Sequence, residues 1–277
     1  MKWLDGKDMI MPEQWKIIGI EGMGTTRNMC LVANAATNET GFFKPEREGF
    51  FKARGQEHSP SYYEYAASKI AAALDIPCAK ILIGELFGKS GCISLDVRSG
   101  YSGHIITASS LDKCGKLFNY KNSAPGSPVF GYPDELSFQG MLPYLPQQVE
   151  HSIVKMMYFD CITDNPGRNS RNYLLEIDGR PAITALLPLY DNEFCIQKHM
   201  KFMREGSAFH YYGSSSFPFG GFPFEVLYEC MQRDYPELAN SLEAKAKSKA
   251  FYEATKKLGC CDFMLDRVNR FGKGDAI

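Results

Sequence analysis

Three short apolar-rich runs open the chain: Trp15–Ile20, Met29–Val32 and Thr40–Pro45, the first two flanking a glycine-containing turn over Glu21–Asn28. Runs of this length, bounded by turn residues, predict consecutive strands of an antiparallel meander. Ser61 with Glu64 three residues on has capping-box spacing, and the alanine-rich stretch Tyr65–Leu74 predicts a helix that Pro77 stops. Ala79–Phe87 and Gly91–Val97, separated by Gly88-Lys89-Ser90, read as two more strands. Residues 99–146 are rich in Gly, Ser, Pro and Asn and carry little periodicity, so a lobe boundary is expected near their start.

Beyond that stretch, Val149, Ile153, Met156, Met157 and Ile162 recur near the 3.6-residue period, which predicts a core-facing helix over Gln147–Thr163. Pro166 and Gly167 enforce a loop. Tyr173–Ile177 and Ala182–Leu187 flank Asp178-Gly179, the strongest hairpin signal in the chain. Gly206–Gly221 reads as a surface segment, and helices are expected over Phe224–Arg233, Leu238–Leu258 and Asp262–Phe271.

Composition narrows the class. Hydrophobic residues at 44% and charged residues at 23% of 277 fit a folded globular chain and argue against disorder or a fibrous repeat. Lys plus Arg (31) nearly cancel Asp plus Glu (32), so nucleic-acid binding is not indicated. No apolar run approaches a membrane span, and Met1–Gln14 lacks the apolar centre of a signal peptide. Nine cysteines with no C-x-x-C pair speak against a zinc site or a full disulfide framework. Reduced thiols in a cytoplasmic protein are expected.

Two features of the first half of the chain carry candidate chemistry. Gly22 and Gly24 in the first turn could let backbone N–H groups approach a phosphate, although neither a dinucleotide fingerprint nor a G-K-[ST] sequence is present. Thr25 and Thr26 in that turn read as turn residues. Lys44 closes a strand and Glu64 lies on the following helix, the order that pins a phosphate-binding lysine. The five histidines show no metal-ligand spacing and no G-x-S-x-G elbow occurs, so a hydrolase has no support.

The most specific segment is Phe159-Asp160-Cys161-Ile162-Thr163-Asp164-Asn165-Pro166-Gly167-Arg168-Asn169-Ser170-Arg171-Asn172-Tyr173, followed by Pro188-Leu189-Tyr190-Asp191. It resembles the N-x-D-R-H-x-x-N and A-P-x-[FY]-D motifs of the HipA-like kinases, bacterial Ser/Thr kinases related to the phosphatidylinositol 3/4-kinase branch. Asn165, Arg168, Asn172, Tyr173, Pro188, Tyr190 and Asp191 match, and the resemblance runs over about residues 15 to 200.

It implies an α+β, two-lobed protein-kinase-like fold: an antiparallel β small lobe with one helix over 1–98, and a mainly helical large lobe over 99–277. It further implies ATP and Mg²⁺ as cofactors. Asn172 and Asp191 would hold the metal, Lys44 would contact the phosphates, Glu64 would orient Lys44, and Gly22, Gly24 and Thr25 would cover the nucleotide. The strand leading to Arg98 would supply the hinge near adenine. The implied activity is γ-phosphoryl transfer to a protein Ser or Thr, with a protein substrate or regulatory partner.

The family's catalytic Asp falls on Gly167 and its His on Asn169. Asp164 is therefore a candidate substitute base, and Gly167→Asp is expected to raise activity if the missing carboxylate is the deficit. The alternative reading is a pseudokinase that binds nucleotide and serves as a regulatory or partner-binding module. A second is an unrelated interaction module with an accidental kinase-like order.

Overall fold

The computed structural model describes residues 4–21, 29–46, 58–108, 110, 145–165, 167–168, 171–178, 182–196 and 224–272. Gly22, Gly24, Thr25 and Thr26, the Gly206–Gly221 segment, and Pro166 and Asn169 of the motif lie outside them.

β1 (Trp15–Glu21), β2 (Met29–Asn34) and β3 (Thr40–Pro45) form the expected antiparallel meander. β5 (Lys89–Leu95) pairs with the free edge of β3, and β4 (Ile81–Leu86) pairs with β5. The sheet order is therefore β1-β2-β3-β5-β4. Register sets Lys44 opposite Cys92 and Pro45 opposite Gly91. A β-carbon on Gly91 would collide with the Lys44 carbonyl oxygen and come within 2.9 Å of the Phe43 ring. Glycine there lets β5 approach β3 where the lysine emerges.

α1 (Pro60–Ala73) begins two residues before the expected position. Ser59 is the N-cap, its hydroxyl accepting from the Tyr62 amide at 3.3 Å, and Pro60 takes the first helical position, where its missing N–H costs nothing. Glu64 is thereby released from capping. α1 is buried on almost every side, packed in the same cluster as the large-lobe helices, which fits its small residues Ala66, Ala67 and Ala71. A smaller cluster of Ile10, Trp15, Val32, Phe43, Leu82, Leu86 and Ile93 serves the sheet.

The large lobe centres on α2 (Gln147–Thr163), whose Val149, Ile153, Met156, Met157 and Ile162 are all fully buried, as their spacing predicts. β7 (Leu174–Asp178) and β8 (Ala182–Leu186) form the expected hairpin. β6 (His104–Thr107), within the stretch read as aperiodic, adds a third strand beside β7. A four-residue strand is too short to show a period. α3 (Phe224–Asp234), α4 (Pro236–Ala246), α5 (Lys249–Leu258) and α6 (Cys261–Gly272) complete the lobe. The single helix expected over Leu238–Leu258 is two, because the Ser248 hydroxyl accepts from the Phe251 amide and starts a new helix.

The lobes are joined by more than the chain. The Ala79 amide donates to the Leu189 carbonyl at 2.7 Å and the Leu189 amide to the Pro77 carbonyl at 2.9 Å. The Tyr62 hydroxyl donates to the Leu258 carbonyl at 2.6 Å. No helix among the described residues is long and apolar enough to cross a membrane.

Candidate active site

Lys44, Glu64 and Asp191, drawn from β3, α1 and the segment after β8, meet at one point. The Lys44 ammonium lies 2.5 Å from Glu64 Oε1 and 2.9 Å from Asp191 Oδ1. The Lys44 and Glu64 side chains are 7% and 0% exposed, while Asp191 is 32% exposed, so the site is closed behind the lysine and open at the aspartate. Burial alone would lower the Lys44 pKa, but the Asp191 and Glu64 carboxylates outweigh it and hold it above the ordinary lysine value. The lysine is a fixed cation at neutral pH.

Glu64 has a second task. Its Oε2 accepts from the backbone N–H of Asn192 at 2.9 Å, so one carboxylate grips both the lysine and the residue after Asp191. Asp191 itself takes a left-handed backbone conformation, φ 56°, which Asp tolerates better than most residues.

Behind the aspartate lies a buried polar network around Arg168, itself 2% exposed. Asp160, on the last turns of α2, accepts from Arg168 Nε at 3.1 Å and Nη2 at 3.0 Å, and from the Asn165 amide at 2.8 Å. Arg168 Nη1 donates to the carbonyls of Asn172 at 3.1 Å and Tyr190 at 2.9 Å. One guanidinium nitrogen thus ties the backbone of Asn172 to that of the residue before Asp191. Its Nη2 also donates to Asn192 Oδ1 at 2.5 Å. Arg168 was legible as a motif match, whereas nothing local in the sequence marks Asn192.

The loop between Arg168 and α2 departs from a kinase catalytic loop in its chemistry. The Gly167 N–H donates to Asn165 Oδ1 at 3.2 Å and its carbonyl accepts from the Asn172 amide at 3.3 Å. A β-carbon on Gly167 would stand 2.6 Å from Phe194 Cδ2, closer than side chains tolerate. The turn Asn192–Cys195, closed by the Cys195 amide on the Asn192 carbonyl at 3.1 Å, brings Phe194 there, and the Ile196 amide pins the segment to the Thr163 carbonyl at 2.6 Å. Any side chain at Gly167, the carboxylate of Gly167→Asp included, must displace the Phe194 ring.

Asp164 caps α2 in the left-handed conformation, φ 53°, and its carboxylate faces the buried Arg267 of α6 at 3.9 Å. To act as a base it would have to leave that arginine. The strand expected to reach Arg98 ends at Leu95, and Arg98 folds onto Asp96, with Nε and Nη2 bonding the carboxylate at 2.8 and 2.7 Å.

The donor set suits a magnesium–nucleotide. Asp191 and Asn172 offer one carboxylate and one amide, hard oxygen donors, and no cluster of three His, Cys, Asp or Glu occurs among the described residues. Mg²⁺ typically uses one or two side chains and completes its shell with substrate phosphates and water.

No protein-family model matches the chain, and no curated protein matches it. Among solved structures it is similar to the Helicobacter pylori proinflammatory kinase CtkA, at 15% identity, covering 95% of this chain and 97% of that one, with a TM-score of 0.52. It also aligns with HipA of Shewanella oneidensis MR-1, solved with HipB and operator DNA, at 14% identity over 98% of this chain and 67% of that one, with a TM-score of 0.45. The likeness to CtkA establishes the fold alone: the chain has an α+β, two-lobed, kinase-like fold.

Proposed function

We propose that this chain binds ATP and Mg²⁺ between its lobes and transfers the γ-phosphoryl group to a Ser or Thr of a protein. The observation that carries the reading is the convergence of Lys44, Glu64 and Asp191, of which Asp191 alone is substantially exposed. Lys44 would neutralise phosphate oxygens, and Glu64 would hold Lys44 as it does now. Asp191 and Asn172 would hold the Mg²⁺, whose positive charge would neutralise phosphate charge at the site. In this reading residues 1–98 cover the nucleotide and residues 99–277 carry the metal-binding and transfer segments.

Phosphoryl transfer depends chiefly on positioning and charge neutralisation, so a loop without a carboxylate base retains part of its catalytic means. The filled space at Gly167 favours a second reading, a pseudokinase in which nucleotide occupancy controls binding of a protein partner.

A rise in melting temperature with ATP and Mg²⁺, lost in Asp191→Ala, is expected on both readings. Incorporation of label from γ-labelled ATP into protein, absent in Asp191→Ala, supports the kinase. Binding without any incorporation supports the pseudokinase, and no stabilisation at all refutes both.

A further inference from the structure

Lys44 and Asp191 belong to different lobes, and the metal requires Asp191 to hold a particular position relative to the lysine and to Asn172. The group that joins all three is Asn192. Its backbone N–H donates to Glu64 Oε2, on the carboxylate whose other oxygen binds Lys44. Its side-chain oxygen accepts from Arg168 Nη2, and Arg168 in turn bonds the Asn172 and Tyr190 carbonyls. Its amide nitrogen reaches the Cys78 sulfur at 3.5 Å, in the connector between α1 and β4. Asn192 is 1% exposed, and Asp160 holds the same guanidinium through Nε and Nη2.

We propose that Asn192 is a positioning residue that holds Asp191 in the register needed to take up a divalent cation with Asn172. The inference rests on the nucleotide-binding reading given above. The asparagine side chain fits the task because it presents an acceptor to the arginine and a donor to the sulfur at once. Its loss frees one guanidinium bond and the loop on which Asp191 sits, while the backbone bond to Glu64 and the Lys44–Glu64 pair remain. The consequence is selective: contact with phosphate persists and metal uptake weakens. Partners behind a metal ligand typically contribute 10- to 100-fold to metal affinity.

The test compares wild type, Asn192→Ala and Asn192→Asp by titrating a fluorescent ATP analogue without divalent ions, then Mg²⁺ at fixed analogue. Asn192→Ala is expected to bind the metal-free analogue as wild type does, with the half-saturating Mg²⁺ concentration raised about 10- to 100-fold. Asn192→Asp, which keeps an acceptor for Arg168 but gives up the donor to the Cys78 sulfur, is expected to shift the Mg²⁺ dependence less than Asn192→Ala does. Should Asn192→Ala fail to fold, Asn192→Ser, too short to reach Arg168, carries the same expectation. Unchanged Mg²⁺ dependence in the variant overturns the inference, as does an equal loss of metal-free and metal-bound affinity, which marks general structural damage. Wild-type protein that binds the analogue in neither condition instead overturns the nucleotide-binding reading and this inference with it.

Discussion

Gly167→Asp is the change that the motif comparison invites, and the structure predicts that alone it fails. An ideal β-carbon at this position lies 2.6 Å from Phe194 Cδ2, 3.1 Å from its Cγ and 3.3 Å from its Cβ. The Gly167 backbone is not in the left-handed region, so the obstacle is the ring and not the main chain. Forcing atoms into a packed site costs about 1–3 kcal/mol. Gly167→Ala isolates that steric cost, and Gly167→Asp adds desolvation of a carboxylate against an aromatic face. Phe194→Ala removes the obstacle, so the two positions should couple, Gly167→Asp being less harmful by about 1–2 kcal/mol in the Phe194→Ala background. Urea unfolding of the four proteins in the cycle measures the coupling, and labelled-ATP transfer measures the function. On the kinase reading, transfer rises only in the double variant. Additive stabilities, or Gly167→Ala as stable as wild type, would refute the steric reasoning.

Other outcomes follow from the same contacts. Lys44→Met leaves Glu64 buried without its ammonium and should cost about 3–5 kcal/mol in urea unfolding, with a smaller loss in Lys44→Met/Glu64→Gln. Asp8 is buried, and although burial opposes its charge, the Lys69 ammonium at 2.7 Å and the Tyr65 hydroxyl hold its pKa below the ordinary value. The ionised form is thus stabilised by folding. Asp8→Asn should lower stability by about 1–2 kcal/mol at pH 7, and the difference from wild type should shrink as pH falls through and below the usual aspartate range near 4. A difference that grows in acid would overturn this assignment. Ser248→Ala should cost about 1 kcal/mol by removing the cap of α5, and a melting temperature equal to wild type would deny that role.

Much of this architecture was legible where residue pattern and local physics agree. The meander, α2 and the antiparallel pairing of β7 with β8 follow from strand-length runs and helical periodicity. Where two local signals competed, the tertiary partner decided. Glu64 has capping-box spacing from Ser61, yet Ser59 and Pro60 start the helix and Lys44 claims the carboxylate. Gly167 read as a missing base, but the occupant of the vacant space, Phe194, lies twenty-seven positions away and is brought there by a turn with no local signature. Asn192 follows the same rule, since its significance comes from Glu64, Arg168 and Cys78, which no sequence window contains together.

The paired hydrogen bonds between Leu189 and residues 77–79 bear on how the molecule breathes. They splice the connector leaving α1 to the segment after β8 that delivers Asp191, and α1 shares its core with the large-lobe helices. A swing of the sheet as one rigid body would break that splice, so opening is expected at the outer strands β1 and β2, farthest from it in the sheet order. Hydrogen exchange should accordingly be slow at Ala79 and Leu189 and faster across β1, with solution scattering changing little when nucleotide is added.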